Sequence, residues 1–276
     1  MKLSLHGVSV WYSNAVTQLR IARDAEFTGL ELLPEHLFRY LENGGSYAQY
    51  RQLMTEYGIE ITCINALKRI GRHQPEERAA LLQEAEKICQ AAVELGCPVV
   101  QVMALNELDH LSESERNAIL RDNISAIADI GQPLGIKFQI EVVAFTPFNS
   151  LQQGLDMITS CGKDNVGLVI DFWHLHAGGN TRPEEVAQMD VNLIYGIHFC
   201  DGRAAREGEA WDEWVQRDYE PGQGDVDIHS WLNAVRATGF DGVWTPEWLS
   251  PHAWERDLFE IGQTSMQSLK QYGITV

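Results

Sequence analysis

The feature that most limits how this chain can fold is a regular alternation of strand-like and helix-like segments. Short stretches rich in apolar and β-branched residues alternate with longer stretches whose apolar residues recur at helical spacing, and glycines such as Gly58 and Gly96 end the helical stretches. The alternation predicts strands over residues 3–10, 29–33, 59–65, 98–103, 136–142, 165–171, 193–199 and 242–247. It predicts helices over residues 16–27, 47–57, 75–95, 112–134, 151–160, 182–189, 229–238 and 254–272. Such a series of units is typical of a parallel sheet.

Eight units of this kind close most naturally into a (β/α)₈ barrel, and a chain of 276 residues has the usual length of one such barrel. No linker, low-complexity stretch or run of charges divides the chain. We therefore predict a single α/β domain, a TIM barrel, over residues 1–276. An open, doubly wound sheet is the alternative that the alternation by itself leaves open.

Composition and charge restrict the class of protein further. The chain is 45% hydrophobic and 22% charged, as expected of a globular protein. No apolar run approaches the roughly 20 residues that span a bilayer, and the first residues lack the apolar core of a signal peptide, so we expect a cytoplasmic protein with no membrane partner. A net charge of −18 disfavours binding to nucleic acid, which proteins hold through Lys and Arg.

The cysteines give no sign of a disulfide framework. The sequence has five, which are Cys63, Cys89, Cys97, Cys161 and Cys200. Their number is odd and no two form a C-x-x-C pair, so we expect reduced, mostly buried thiols rather than disulfides or a cysteine zinc site. The sequence leaves the oligomeric state open, a homo-oligomer included.

Four residues that can bind a metal stand at the predicted ends of strands five to eight. Glu141 lies in FQIEVV, Asp171 in VGLVIDFWH, His198 in IYGIHFCD and Glu247 in VWTPEW. The first three are 30 and 27 residues apart, close to the length of one strand–helix unit, so their side chains return to the same face of the barrel. Three carboxylates and one imidazole form a hard, mostly oxygen site that suits Mn²⁺, Mg²⁺, Co²⁺ or Zn²⁺. We therefore predict one divalent metal ion held by these four residues.

The same segments resemble those of the sugar phosphate isomerase/epimerase family, whose members have a xylose-isomerase-like TIM barrel. The likeness rests on IEVVAFTPFNSL, DNVGLVIDFWHLHAGG, IYGIHFCD and PGQGDVDIHSWLNAVRATGFDGVWTPEW, which cover most of residues 136–249. The first half contributes the weaker signals GLELLP and ITCINALK. Through INAL, KDNVGLVIDFWHLHA and EPGQGDVDI the chain is most similar to the 2-keto-myo-inositol isomerases of this family.

The resemblance implies a role for each of these residues. It implies that Glu141, Asp171, His198 and Glu247 hold a single metal ion and that the two glutamates also transfer the proton. Independently, moving a carbonyl along a sugar or inositol, or inverting a carbon beside it, requires removal and return of a proton next to that carbonyl. Two carboxylates can carry that proton, while a cation stabilises the negative charge of the enediolate.

Contacts with a small polyhydroxy carbonyl substrate are also implied by the resemblance. Family members commonly place a substrate-contacting histidine three residues after the aspartate, which here is His174. A basic residue after the strand-seven histidine often contacts the substrate, and Arg203 and Arg206 are the candidates. The chain departs from the family after Glu141, where it reads VVAFTP instead of Pro-Leu followed by a polar or charged residue.

Three alternatives to an isomerase or epimerase remain at this point. A metal-dependent dehydratase of the inosose or dehydroshikimate type starts with the same proton abstraction. An abasic-site endonuclease shares the barrel, but the net charge and the lack of histidines at the ends of strands three and four disfavour it. A binding protein without activity is disfavoured by the complete set of four metal ligands.

The segment 200–227 is the one long irregular stretch, and we expect it to lie above the site as a lid. Asp201 is predicted either to support the site or to order a turn in this loop, and Asp227 to cap the following helix. His6 and Asn65, at or near the ends of strands one and three, are weaker candidates for lining the pocket.

Overall fold

Eight parallel strands form a closed barrel in the computed structural model, which describes residues 1–275. The strands are β1 (Lys2–His6), β2 (Gly29–Leu32), β3 (Glu60–Lys68), β4 (Val99–Met103), β5 (Lys137–Glu141), β6 (Val166–Asp171), β7 (Ile194–Phe199) and β8 (Val243–Pro246). Each strand pairs with the next, and β8 closes the ring by pairing with β1. The predicted TIM barrel is therefore confirmed and the open sheet is wrong. The last residue of the predicted domain 1–276 lies outside the described residues.

Helices connect the strands around the outside of the barrel. They are α1 (Ala15–Asp24), α2 (Pro34–Glu42), α3 (Tyr47–Tyr57), α4 (Pro75–Leu95), α5 (Glu113–Gly131), α6 (Leu151–Cys161), α7 (Phe172–Gly178), α8 (Pro183–Val186), α9 (Glu213–Gln216), α10 (Ile228–Thr238), α11 (Pro251–Trp254) and α12 (Leu258–Gln271). The predicted bounds of α3 and α4 are confirmed. Gly58 and Gly96 end these two helices in the left-handed region, at φ of 68° and 67°, which glycine adopts without strain.

Other predicted boundaries are wrong for local reasons. The first strand stops at His6 rather than at residue 10, because the His6 side chain accepts a hydrogen bond from Val8 N–H and starts a 3₁₀ turn. The closing helix, predicted over residues 254–272, begins only at Leu258, since the Asp257 side chain caps it by accepting from Phe259 N–H. The helix predicted over 182–189 is only the single turn α8.

Three helices lie outside all the predicted ones, namely α2, α7 and the single turn α9. Helix α2 starts at Pro34, whose fixed φ suits the first turn of a helix. Helix α7 starts directly after β6, where the Asp171 carboxylate accepts a hydrogen bond from His174 N–H at 2.6 Å. The side chain that ends β6 thus also begins α7.

The barrel interior holds polar side chains that contact each other across it. Ser4 Oγ on β1 lies 2.7 Å from Thr62 Oγ1 on β3. The Gln139 amide on β5 donates to Gln101 Oε1 on β4 at 2.7 Å, and the Gln101 amide donates to Glu141 Oε2 at 3.0 Å. A line of hydrogen bonds therefore runs up the lumen to the carboxyl ends of the strands. Among the described residues, no helix is long and apolar enough to cross a membrane.

Candidate active site

The carboxyl ends of strands β5 to β8 bring four metal-capable side chains together. Glu141 and Asp171 are the last residues of β5 and β6, His198 precedes the last residue of β7, and Glu247 follows β8. All four are buried, and one ligand atom from each lies within 4.8 Å of the others. His198 Nδ1 lies 3.2 Å from Glu141 Oε1, 3.5 Å from Asp171 Oδ2 and 3.3 Å from Glu247 Oε2. We call these four residues the donor cluster.

The donor cluster confines three carboxylates and one imidazole in a buried space. Burial disfavours charge on His198, but the carboxylates of Glu31 and Glu247 outweigh it and raise its pKa well above the ordinary range. Burial raises the pKa of Glu141. Three carboxylates confined around one imidazole are costly without a further cation, and their oxygen-rich donor set is the one that divalent metals prefer. The residues present therefore fit a divalent metal ion.

Arg217 brings a guanidinium into this site that the sequence did not reveal. Its side chain is buried, and Nη2 donates to Glu247 Oε2 at 2.6 Å and to Asp171 Oδ2 at 3.3 Å. Burial would raise the pKa of Glu247, but Arg217 and then His198 hold it well below the usual range. The guanidinium also lies over the Trp173 ring, 4.9 Å from its centroid. Nothing in the spacing of Arg217 within its loop distinguishes it from other arginines.

Arg203 and Arg206, the arginines predicted to contact the substrate, lie elsewhere. Both terminal nitrogens of Arg203 donate to the Glu209 carboxylate, at 2.6 and 2.7 Å. Arg206 is exposed, and its backbone N–H donates to the same carboxylate. Neither lines the cavity, where Arg217 stands instead. The fold of the loop instead brings the Arg203 side chain and the Arg206 backbone to Glu209.

His174 lies on α7 and does line the cavity. Its Nδ1 accepts a hydrogen bond from Ala144 N–H at 3.1 Å, so the neutral ring carries its proton on Nε2. His174 Nε2 lies 3.5 Å from Arg217 Nη1 and 3.7 Å from Glu213 Oε1. Ala144 belongs to the segment VVAFTP after Glu141, in which the chain departs from the family. The backbone of that segment therefore orients His174.

A second group of polar side chains stands on the opposite side of the His198 ring. It consists of His6, Glu31 and Asn65, near the ends of β1, β2 and β3, and we call it the support cluster. Burial would raise the pKa of Glu31, but His198 and His6 beside it lower it to about 2. His6 and Asn65 were weak candidates from the sequence. Glu31 was missed, although a glutamate inside the apolar run GLELL was a signal of it.

The cavity beside the donor cluster has a volume of about 170 Å³ and a mixed lining. Its polar lining residues are His6, Asn65, Glu141, His174, Arg217 and Glu247. Its apolar lining residues are Val8, Trp11, Leu33, Met103, Leu105 and Leu249. Lys68 and Glu213 complete the lining. A small ligand that carries both hydroxyl groups and C–H groups would match this mixed lining.

The loop over residues 200–227 is fixed at its ends by one carboxylate. Asp201 accepts hydrogen bonds from the backbone N–H groups of Gly202, Gly222, Gly224 and Val226. Of the two roles predicted for Asp201, the structure therefore shows the ordering of the loop. The Asp227 side chain accepts from Ser230 N–H, which confirms its role as the cap of α10.

Comparison with known proteins places this barrel among enzymes. A family model described as xylose isomerase-like TIM barrel matches residues 19–272. The inosose isomerase of Bacillus velezensis is 25% identical over 248 residues, which are 88% of this chain and 84% of that protein. The 3-dehydroshikimate dehydratase of Pseudomonas aeruginosa is 27% identical over 221 residues, which are 79% of this chain and 33% of that protein.

A solved structure gives the same fold. The crystal structure of the IOLI protein with a bound zinc atom superposes with a TM-score of 0.91 at 24% sequence identity. The match covers 99% of this chain and 98% of that chain. Relatives that align with most of this chain are enzymes, and this chain is accordingly an enzyme.

Proposed function

We propose that this chain, which belongs to the xylose isomerase-like TIM barrel family, is a metal-dependent isomerase or epimerase of a small keto-sugar or keto-inositol. The observation that carries the proposal is the donor cluster, two glutamates of which line a small cavity with both polar and apolar side chains. The inosose isomerase relative, which aligns with 88% of the chain, favours a cyclic keto-polyol among the possible substrates.

Glu141, Asp171, His198 and Glu247 would hold the metal. When bound, a divalent cation would supply Lewis-acid stabilisation of the negative charge that develops on substrate oxygens. Zn²⁺, Mn²⁺, Co²⁺ and Mg²⁺ all suit this donor set, and zinc is the metal in the IOLI crystal structure.

Glu141 and Glu247 would carry the proton. Each has one carboxylate oxygen fixed by a donor, Glu141 Oε2 by the Gln101 amide at 3.0 Å and Glu247 Oε2 by Arg217 at 2.6 Å. These contacts hold the two carboxylates in fixed orientations at the cavity wall. One glutamate removes the proton from the carbon beside the carbonyl, and the other delivers a proton to the adjacent position or to the opposite face.

His174 and Arg217 would bind the substrate oxygens. His174 presents Nε2–H on the cavity side, because its Nδ1 is occupied by Ala144 N–H. Arg217 presents a buried positive charge at the same wall, next to Glu247. These donors would orient the carbonyl and its neighbouring hydroxyl so that the carbon to be deprotonated faces a glutamate.

A dehydratase is the second candidate, and the dehydroshikimate dehydratase relative specifically favours it. Elimination of water also begins with removal of a proton beside a carbonyl, so the same residues would serve. The two reactions differ in what leaves the substrate, since only the dehydratase releases a hydroxyl group as water.

An NMR experiment in D₂O tests the proposal and separates the two reactions. The metal-loaded enzyme is incubated with 2-keto-myo-inositol, with ketohexoses and with 3-dehydroshikimate in parallel. We expect an isomeric product that carries solvent deuterium. A product that has lost water would establish the dehydratase instead, and the absence of any deuterium exchange into the full substrate panel would contradict both.

A further inference from the structure

Glu31 lies beside His198 of the donor cluster. It is on β2, it is 2% exposed, and it does not line the cavity. Its Oε1 lies 3.1 Å from His198 Nε2, whereas the other ring nitrogen of His198 faces the three carboxylates of the donor cluster. The His198 ring therefore stands between one carboxylate on one side and three on the other.

The two nitrogens of His198 must have different roles when a metal is bound. A coordinating imidazole nitrogen offers a lone pair, and the other nitrogen then carries the hydrogen. Nδ1 is the nitrogen within 3.2 to 3.5 Å of Glu141, Glu247 and Asp171, so it is the one placed to coordinate. Nε2–H is left pointing at Glu31, which as an ionised carboxylate offers only acceptors.

Glu31 is itself held in place by the support cluster. The Asn65 amide donates to Glu31 Oε1 at 3.0 Å, the same oxygen that faces His198. His6 Nε2 lies 3.9 Å from this oxygen and 3.5 Å from Glu247 Oε1. Rotation of the Glu31 carboxylate would break its contacts with Asn65 and with His198 together, so its orientation is strongly determined.

We propose that Glu31 is a positioning residue that accepts the Nε2–H of His198 and so fixes the ring with Nδ1 directed at the metal. This inference rests on the metal site of the proposed function. Glu31 touches neither the substrate cavity nor the cation position, and acts through His198. A carboxylate in this position also makes the imidazole a stronger donor to the metal.

A second metal ion is the competing interpretation, because ligand atoms of His6, Glu31 and His198 also lie within 4.8 Å of one another. The contacts disfavour it. His198 Nε2 would have to lose its hydrogen while Nδ1 also binds a metal. The Asn65 amide nitrogen, which has no lone pair to offer a cation, already occupies the Glu31 oxygen.

The experiment compares the wild type with Glu31→Gln and Glu31→Ala, and with Thr62→Val as the control. Thr62 is a buried polar residue of the adjacent strand that contacts Ser4 and not the donor cluster. Each protein is stripped with a chelator. Its Zn²⁺ affinity and stoichiometry are measured by competition with an indicator, and the visible absorption spectrum is recorded after loading with Co²⁺.

We expect Glu31→Ala to weaken Zn²⁺ binding by about 10–100-fold and to change the Co²⁺ spectrum. Glu31→Gln keeps an acceptor oxygen without the charge, so it should recover part of the affinity. Thr62→Val should bind Zn²⁺ like the wild type with an unchanged spectrum. If Glu31→Ala does not fold, Glu31→Gln decides the question, since it preserves the volume of the side chain.

Wild-type affinity and spectrum in Glu31→Gln and in any folded Glu31→Ala protein would overturn the inference. So would a wild type with two Zn²⁺ ions of which the Glu31 variants lose one and keep the other unchanged. A wild type that binds no divalent metal would contradict the proposed function itself, which keeps the two failures distinct.

Discussion

The donor cluster and the support cluster face each other across the His198 ring, but they differ in how their polar atoms are satisfied. In the support cluster, Glu31 accepts from Asn65 and His198, and His6 accepts from a backbone N–H, so acceptors meet donors. In the donor cluster, Gln101 and His174 N–H also donate to the carboxylates, but three negative groups converge against two positive ones, Arg217 and His198. One side of the ring thus has one carboxylate with its own donors, whereas the other has an excess of carboxylates, which is the arrangement that suits a divalent cation.

The largest effect is expected when one of the four metal-capable side chains of the donor cluster is removed. We expect His198→Ala to lose the bound divalent ion and its activity together, because the imidazole is the one nitrogen donor of the four. Elemental analysis and turnover measured on the same preparation check this. His176→Ala is the matched control, since His176 is half-buried and lies outside both clusters, and it should keep metal and activity. Full metal occupancy in His198→Ala would mean that the cation lies elsewhere.

The next largest effect is expected when a glutamate of the donor cluster is replaced by glutamine, which removes the negative charge but keeps an oxygen. Glu247→Gln and Glu141→Gln should retain metal in part, while turnover falls by roughly 10²–10⁴-fold, as for loss of a general base. Turnover and metal content are measured for each variant, and exchange of the substrate's α-proton with D₂O is followed by NMR. Near wild-type exchange in both metal-loaded variants would show that another residue is the base.

A comparison of two arginines tests the loop's contribution to the donor cluster. Arg217→Ala should reduce kcat/KM by about 10–100-fold, the size expected for loss of one charged hydrogen bond. Arg203→Ala should change kcat/KM only slightly, because its guanidinium is bound to Glu209 outside the cavity. Steady-state kinetics of the two variants, loaded with the same metal, check this. A larger effect for Arg203 would restore the sequence-based assignment of the substrate contact.

The smallest effect is expected in the support cluster. Asn65→Ala removes one of the hydrogen bonds that orient Glu31 but leaves the carboxylate opposite His198. We expect Zn²⁺ affinity to fall only a few-fold, on the order of one hydrogen bond of about 1 kcal/mol. Chelator competition measures it. A loss as large as that of Glu31→Ala would show that Glu31 cannot orient the His198 ring without Asn65.

The two clusters also differ in how well the sequence predicts them. The barrel and the convergence of Glu141, Asp171, His198 and Glu247 follow from periodicity, because strand ends return to one rim at each repeat. Glu31 also stands near the end of its strand, but its role depends on a contact across the barrel with a residue 167 positions away, which periodicity does not reveal.

The loop arginines show a second limit. Arg203 and Arg206 were predicted to contact the substrate, whereas the path of the loop brings Arg217 to the cavity. That path depends on hydrogen bonds between its backbone and Asp201, whose geometry no spacing encodes. Helix α7 was missed because its start depends on a side chain that was interpreted only as a metal ligand.

A backbone hydrogen bond also joins two separate points of the loop over residues 200–227. Arg203 N–H donates to the carbonyl of Gln216 at 2.9 Å, so the intervening residues form an excursion whose two ends are joined. Arg217 lies just outside this excursion, and the exposed Trp211 and Trp214 lie within it. Glu213 also belongs to the excursion, and its carbonyl accepts from Arg217 N–H at 2.9 Å while its carboxylate lies 3.4 Å from Arg217 Nη1. A change in the excursion would therefore reach Arg217 through Glu213. Redesign of which molecules enter the cavity would have to keep Glu213 if the reacting groups are to stay where they are.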